Sequence, residues 1–340
     1  MNLAVLVILP CTFVLSIVLI GFARGYALKK NIVDLPNSRS SHRVPTPRAG
    51  GIGIAVSYVA ALCGILLCRL IDFKTAATLI IAGCAIAAVG FLDDLLQLSA
   101  RTRLAVHLAA AVFVVVTVGG FSERALVRWG LGEFWIGSTF AVLVLVWGTN
   151  LFNFMDGIDG LAASESIFVS GAGGWLYWLS GGDAGITAAM LGLAAASLGC
   201  LVWNWPPARI FMGDVGSGFL GFVMIALYMI ASQRTRVPIE ILPILGGVFL
   251  TDATTTLVRR FFRGDRLVEA HRMHAYQHLA RKFGSHRQVT LMAIAVNLFW
   301  LLPWAYVATR FPDSAQMCLA AALLPLVVVA LIAGAGRREQ

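Results

Sequence analysis

Five short segments of an otherwise apolar chain gather carboxylates, carboxamides and cations at spacings that suit phosphate and divalent-metal chemistry. In FLDDLLQLSARTRL, Asp93 and Asp94 stand side by side and Arg101 and Arg103 follow. Two adjacent carboxylates at a bilayer edge are costly unless solvated, paired or bound to a cation. On a helix, neighbours point about 100° apart, so one can face a ligand while the other is held elsewhere. An acidic helix end in the headgroup zone is the plainer alternative. NLFNFMDGIDGLA contributes Asn150, Asn153, Asp156 and Asp159. Asn153, Asp156 and Asp159 align if the stretch is helical, whereas Gly157 and Gly160 favour a loosened turn open to a ligand. Their oxygens are the hard ligands that magnesium takes.

NWPPARIFMGDVGSGF supplies Asn204, Arg209, Phe211 and Asp214 before a glycine-rich entry into an apolar run. A carboxylate at a helix N-terminus, beside amide donors, could hold a metal that carries a phosphate. Phe211 can stack on a base or anchor the interface. HRMHAYQHLAR spaces His271, His274 and His278 on one face of a helix. Zinc would need a fourth ligand there, and no cysteine is near. A cationic flap over an anionic ligand fits better, with an amphipathic helix on anionic lipid as the alternative. In VDLPNSRSSHRVPTPRAGGIG, prolines forbid a continuous helix, and Arg39, His42, Arg43 and Arg48 suit phosphate or anionic headgroups. His107, inside an apolar run, reads as a satisfied packing residue.

The elements that position these residues follow from composition. Of 340 residues, 59% are hydrophobic and 13% charged, against about 45–50% and 25% in soluble proteins. A disordered chain, a disulfide-stapled secreted domain and a coiled coil are excluded. Apolar runs of about 20 residues indicate an all-α integral membrane protein rather than a barrel. Eleven spans are expected, at 3–22, 50–70, 75–92, 104–119, 136–152, 162–180, 185–203, 215–231, 239–257, 289–308 and 315–335, in one polytopic domain over 1–340. The first lacks a basic leader and is read as an uncleaved span. The six cysteines lie in or beside apolar runs and read as small buried hydrophobes.

Placing the N-terminus in the periplasm puts 19 of the 26 Lys and Arg residues on the cytoplasmic side and leaves 7 outside, as the positive-inside rule requires. The net charge of +9 therefore reports topology rather than nucleic acid. The C-terminus and the loop 258–288, which holds eight Lys and Arg residues, fall inside. So do nearly all the clusters above, which places an active site on the cytoplasmic face. Carboxylates, amides and cations on one side of one membrane are the inventory of metal-assisted phosphoryl transfer. A transporter of anionic phosphorylated metabolites is the alternative, but it should show internal repeats and midplane charges. A structural protein on anionic lipid would leave the clustered Asp and Asn unexplained.

These five motifs, in their order along the chain from VDLPNSRSSH to HRMHAYQHLAR over about residues 33–281, resemble the polyprenyl-phosphate N-acetylhexosamine-1-phosphate transferases. The peptidoglycan phospho-N-acetylmuramoyl-pentapeptide transferase is a relative, and RSSH…PTPRAGG looks most like the branch that initiates O-antigen in lipopolysaccharide synthesis. The resemblance implies a bacterial inner-membrane enzyme. It would move a sugar-1-phosphate from a UDP-N-acetylhexosamine to undecaprenyl phosphate and release UMP. It further implies Asp214 and Asn153 as ligands of Mg2+ (or Mn2+), and Asp93 and Asp94 as a catalytic pair that positions or deprotonates the lipid phosphate. Asp159 and Phe211 would hold uracil, with Asp156 and Asn204 nearby. His271 and His274 would meet sugar and diphosphate, and Arg101 or Arg103 a phosphate. Ala49 departs from the glycine that related sequences often carry, a change expected to matter little. The sugar (GlcNAc, FucNAc or QuiNAc type) stays open, and so does a homodimer.

Overall fold

The computed structural model describes residues 3–30, 33–34, 45–266 and 271–338. Each of the eleven apolar segments falls on helix. In chain order the helices are α1 (Leu3–Lys29), α2 (Gly51–Leu67), α3 (Phe73–Leu96), α4 (Ala100–Val118) and α5 (Glu123–Arg128). Next come α6 (Phe134–Met155), α7 (Leu161–Leu179), α8 (Ala184–Asn204), α9 (Gly213–Arg234) and α10 (Ile241–Leu245). The chain ends with α11 (Gly247–Phe262), α12 (Ala275–Phe283), α13 (His286–Val296), α14 (Leu302–Arg310) and α15 (Ala315–Ile332). Among the described residues, eight helical segments are long and apolar enough to cross a membrane, and α2 is apolar but shorter. The chain is thus an all-α, multi-pass integral membrane protein.

At the centre stands α9, buried at every residue from Val215 to Ser232. A helix that is apolar all round must be enclosed, and α2, α3, α6, α7 and α8 surround this one. Small residues let backbones approach without a driving force from lipid. A Cβ on Gly90 of α3 would lie 2.5 Å from the Asp214 carbonyl oxygen, so α3 rests directly on the first turn of α9. Helix starts are set by side-chain caps that satisfy otherwise orphaned N–H groups. Asp72 accepts from Thr75 N, Ser99 from Thr102 N, and Asp183 from Ile186 N.

The structure departs from the expected spans in several places. The ninth breaks at Gly246 into α10 and α11, and the tenth contains a π-helical turn at Asn297–Leu301 between α13 and α14. Helix α5 had no apolar signal. A short antiparallel ribbon, β1 (Val33–Asp34) with β2 (Thr46–Pro47), pairs Val33 with Pro47 and Asp34 with Thr46. Only Cys200 and Cys318 are buried; Cys11, Cys63, Cys68 and Cys84 face outward from the bundle, where apolar lipid serves them as well as a core would. His107 is buried as expected, yet its Nδ1 has no partner among the described residues.

Candidate active site

The carboxylates converge at one end of the bundle because three helices terminate there. The last turn of α3 carries Asp93 and Asp94, and the first turn of α9 carries Asp214. Asp94 accepts from the backbone N–H of Asp214 (3.2 Å to Oδ1) and of Val215 (3.3 Å to Oδ2). Its carboxylate therefore closes the N-terminus of α9, where orphan donors and the helix dipole favour an anion. Gly213 makes the approach feasible. Its φ is +73°, and a Cβ there would lie 2.5 Å from Asp94 Oδ2.

Arg103, on α4, donates to Asp93 Oδ2 at 2.7 Å and reaches Asp214 Oδ2 at 3.3 Å. Asn153, near the end of α6, and Asp93 both adjoin the Asp214 carboxylate. Arg101 is exposed, so Arg103 is the cation the fold brings to the carboxylates. His107, one turn along α4 from Arg103, lies within electrostatic reach of Asp93 and Arg103; it is a neighbour that its apolar sequence context concealed.

The turn after α6 settles the conformation of the second motif. Helix α6 stops at Met155 and α7 starts at Leu161, with Gly160 at φ +75°. Asn153, Asp156 and Asp159 therefore do not share a helical face; the glycine-loosened turn is the form adopted. Burial and the surrounding Asp214, Asp94 and Asp159 carboxylates raise the Asp156 carboxyl well above the usual range. Asp159 Oδ2 accepts from Ala208 N at 3.0 Å, and its Oδ1 lies 3.2 Å from His286 Nδ1. Asn204 is buried, and both ends of its amide bond backbone: Gly160 N donates to Oδ1 and Nδ2 donates to the Ile210 carbonyl. Instead of opening to a ligand, Asn204 ties the 156–160 turn to the loop before α9.

That loop is lashed to the first motif by backbone bonds. Phe211 N donates to Pro47 O, Gly50 N to Phe211 O and Gly51 N to Met212 O, at 2.8–2.9 Å. Phe211 is half-buried at this junction. Arg48 pairs with Asp34 at 2.7 Å and lies within electrostatic reach of Asp94. Arg39, His42 and Arg43 lie outside the described residues. Ala49 adopts φ +77°, a left-handed conformation that costs a residue with a Cβ about 1–2 kcal/mol. The replacement of glycine there is therefore not neutral, contrary to the sequence expectation.

The histidine segment also folds differently from its spacing. Helix α12 begins at Ala275, so His271 and His274 precede it and share no helical face with His278. The cause is Asp252 of α11, a carboxylate inside an apolar span. This buried carboxylate accepts from Ala275 N (2.8 Å) and Tyr276 N (2.9 Å) and lies 3.3 Å from His274 Nδ1. His271 stacks on His274 at 4.8 Å, and His274 in turn stacks on Phe154 at 6.3 Å. Tyr276 Oη donates to the Phe154 carbonyl at 3.0 Å. These contacts set the pair of histidines against Phe154, at the end of α6. Burial, followed by the His274 and Arg260 charges, pushes His271 down to about 3.

Among the described residues, no group of three or more Asp, Glu, His or Cys is arranged as a closed metal cage. Magnesium does not require one: it binds through one or two protein oxygens and completes its shell with water and substrate phosphates. Asp214 beside Asn153, with Asp156 held among like charges, is a donor set that fits such an ion.

The sequence profile of glycosyl transferase family 4 matches residues 76–232. That span takes in the carboxylates from Asp93 to Asp214 and stops short of His271 and His274. A probable undecaprenyl-phosphate N-acetylglucosaminyl 1-phosphate transferase of Bacillus subtilis (strain 168) is 33% identical over 291 residues, covering 84% of this chain and 79% of the relative. The decaprenyl-phosphate N-acetylglucosaminephosphotransferase of Mycolicibacterium smegmatis is 31% identical over 348 residues, covering 92% and 84%. A phospho-N-acetylmuramoyl-pentapeptide-transferase of Geobacillus kaustophilus is 28% identical over 262 residues, covering 73% and 79%.

Proposed function

Because the chain belongs to glycosyl transferase family 4, the polyprenyl-phosphate N-acetylhexosamine-1-phosphate transferases, we propose that it transfers sugar-1-phosphate from a UDP-N-acetylhexosamine to undecaprenyl phosphate. An oxygen of the lipid phosphate attacks the β-phosphorus of the donor. The bond from that phosphorus to the bridging oxygen breaks, and UMP leaves with the electron pair. The observation that carries this reading is the meeting of Asp93, Asp94, Asn153, Asp156 and Asp214 at one end of the bundle.

A phosphate monoester has a second pKa of about 6, so the nucleophile is largely ionised at neutral pH. No strong base is required, and Asp93 and Asp94 are better employed in positioning. Asp94 holds the first turn of α9, and with it Asp214. Asp93 aims Arg103, which meets a substrate phosphate. Asp214 and Asn153 would hold Mg2+, with Mn2+ as a substitute, and the ion would offset diphosphate charge and ease the departure of UMP. Asp159 and Phe211 hold the uracil end, Asn204 braces their loops, and His271 and His274 reach the sugar and diphosphate.

The chain crosses the bacterial inner membrane eleven times, with its N-terminus periplasmic and its C-terminus and active site cytoplasmic. It performs the first membrane step of O-antigen or a related surface polysaccharide. Two relatives are named for N-acetylglucosamine, so UDP-GlcNAc is the first donor to offer, then the FucNAc and QuiNAc types. Purified protein, undecaprenyl phosphate and a panel of these donors test the reading through UMP release. Release that needs both lipid phosphate and divalent metal supports it. Release independent of lipid phosphate contradicts it.

A further inference from the structure

At the end of the bundle opposite the carboxylates, two cavities meet at one buried side chain. The first, of about 310 Å3, is polar and is lined by Glu123, Arg124, Arg128, Gln233, Arg236 and Glu240. The second, of about 320 Å3, runs between α6, α9 and α11 and is apolar, with Trp129, Phe140, Trp147, Phe249 and Leu319 on its walls. Glu240 lines both. It is 2% exposed and accepts from Trp129 Nε1 at 3.0 Å, so it is fixed at the junction. Both volumes fall within the range of about 300–1,000 Å3 typical of ligand pockets.

The charges in the polar chamber are of both signs. Neighbouring Arg234 is taken up by Asp72 and Asp183, whereas Arg124 and Arg236 pair with no carboxylate among the described residues. Arg128 spends one N–H on the Pro312 carbonyl. Three guanidiniums match a phosphate. Two glutamates beside them match an ammonium group next to that phosphate. The adjoining apolar chamber matches a hydrocarbon chain. A purely anionic headgroup would meet Glu240 at the junction, and a free anion would leave the apolar chamber unused.

We propose that this face carries a binding site for a zwitterionic phospholipid of the phosphoethanolamine type. The lipid phosphate rests on Arg124, Arg128 and Arg236, its primary ammonium on Glu240 and Glu123, and one acyl chain enters the chamber between α6 and α11. None of these residues belongs to the transfer site, so the lipid acts on the far side of the bundle from the chemistry.

The test is native mass spectrometry of the delipidated full-length protein in detergent, titrated separately with phosphatidylethanolamine, phosphatidylglycerol, phosphatidylcholine and inorganic phosphate. Phosphatidylethanolamine should be retained about tenfold better than the other two lipids, the worth of one charge-assisted contact. The double variant Arg124→Gln/Arg236→Gln should weaken all retention. Glu240→Gln keeps the Trp129 bond and should erase the preference over both other lipids. Val144→Phe, which fills the apolar chamber, should weaken lipid binding with the headgroup chamber intact. Equal retention of the three lipids, retention of inorganic phosphate alone, or indifference to the arginine substitutions would overturn the proposal. UMP release, measured in parallel on the same samples, separates this result from the fate of the transferase reading.

Discussion

Asp94 at the end of α3 holds the N-terminus of α9 by two backbone bonds, at 3.2 and 3.3 Å, and thereby fixes where the Asp214 side chain begins. Two residues that look equivalent as site carboxylates thus do different work. Asp94 is spent on the helix end. Asp214 stands among Asn153, Asp93 and Arg103.

Asp214→Asn should lower kcat by about 10²–10³, the range for losing a key electrostatic group in a site, while donor binding weakens only moderately. Asp94→Asn should cost about 10–100-fold, as groups that orient a ligand do, and should also lower the unfolding temperature. Steady-state kinetics with thermal unfolding on both variants checks the division. Equal activity of Asp214→Asn and parent removes Asp214 from the site.

Gly213→Ala places a Cβ against Asp94 in a backbone conformation with φ +73°. A destabilisation of about 1–2 kcal/mol is expected from the left-handed conformation alone, accompanied by loss of activity. Ala49→Gly should act in the opposite sense. With φ +77° at Ala49, glycine should raise stability by about 1 kcal/mol. An unfolding temperature unchanged by Ala49→Gly contradicts the assignment of strain there.

Arg101 and Arg103 sit two residues apart but face different surroundings. Arg103→Gln should lose most activity because it frees Asp93 and Asp214 to repel each other. Arg101→Gln should retain nearly all of it. Equal losses in UMP release would show that proximity to the carboxylates is not what matters.

Acid sensitivity has a local source in His271, whose pKa falls from 6.5 to about 3 in the folded chain. Below pH 6.5 the unfolded chain binds a proton that the folded chain refuses, so stability falls as the pH drops from 6.5 towards 3. Above that window the contribution is fully present. His271→Gln should flatten the decline of unfolding temperature across it. A decline as steep as in the parent would place the acid-sensitive group elsewhere.

Much of the architecture was legible because long apolar runs report a bilayer directly and charges accumulate where helices leave it. Asp93, Asp94, Asn153 and Asp214 were visible for that reason, as polar residues at the ends of apolar segments. Asp252 was not, since one carboxylate among threonines in an apolar run shows no periodicity. Its role arises only when α12 packs against α11. The same contact explains why the His271, His274 and His278 spacing misled: a cap decides where the helix starts, and the cap is 22 residues away from His274 in sequence. Asn204 looked like a ligand residue because amides suit ligands equally well as loop clamps. Only the backbone partners at both ends of its amide distinguish the two.

The central claim is that phosphorus, and not only sugar, moves to the lipid. UDP-GlcNAc labelled with 32P at the β-phosphate, incubated with the protein, undecaprenyl phosphate and Mg2+, tests it directly. Label is expected in the lipid phase and UMP in equal amount in the aqueous phase, both lost in Asp214→Asn. Label left in aqueous UDP, with sugar alone on the lipid, would contradict it.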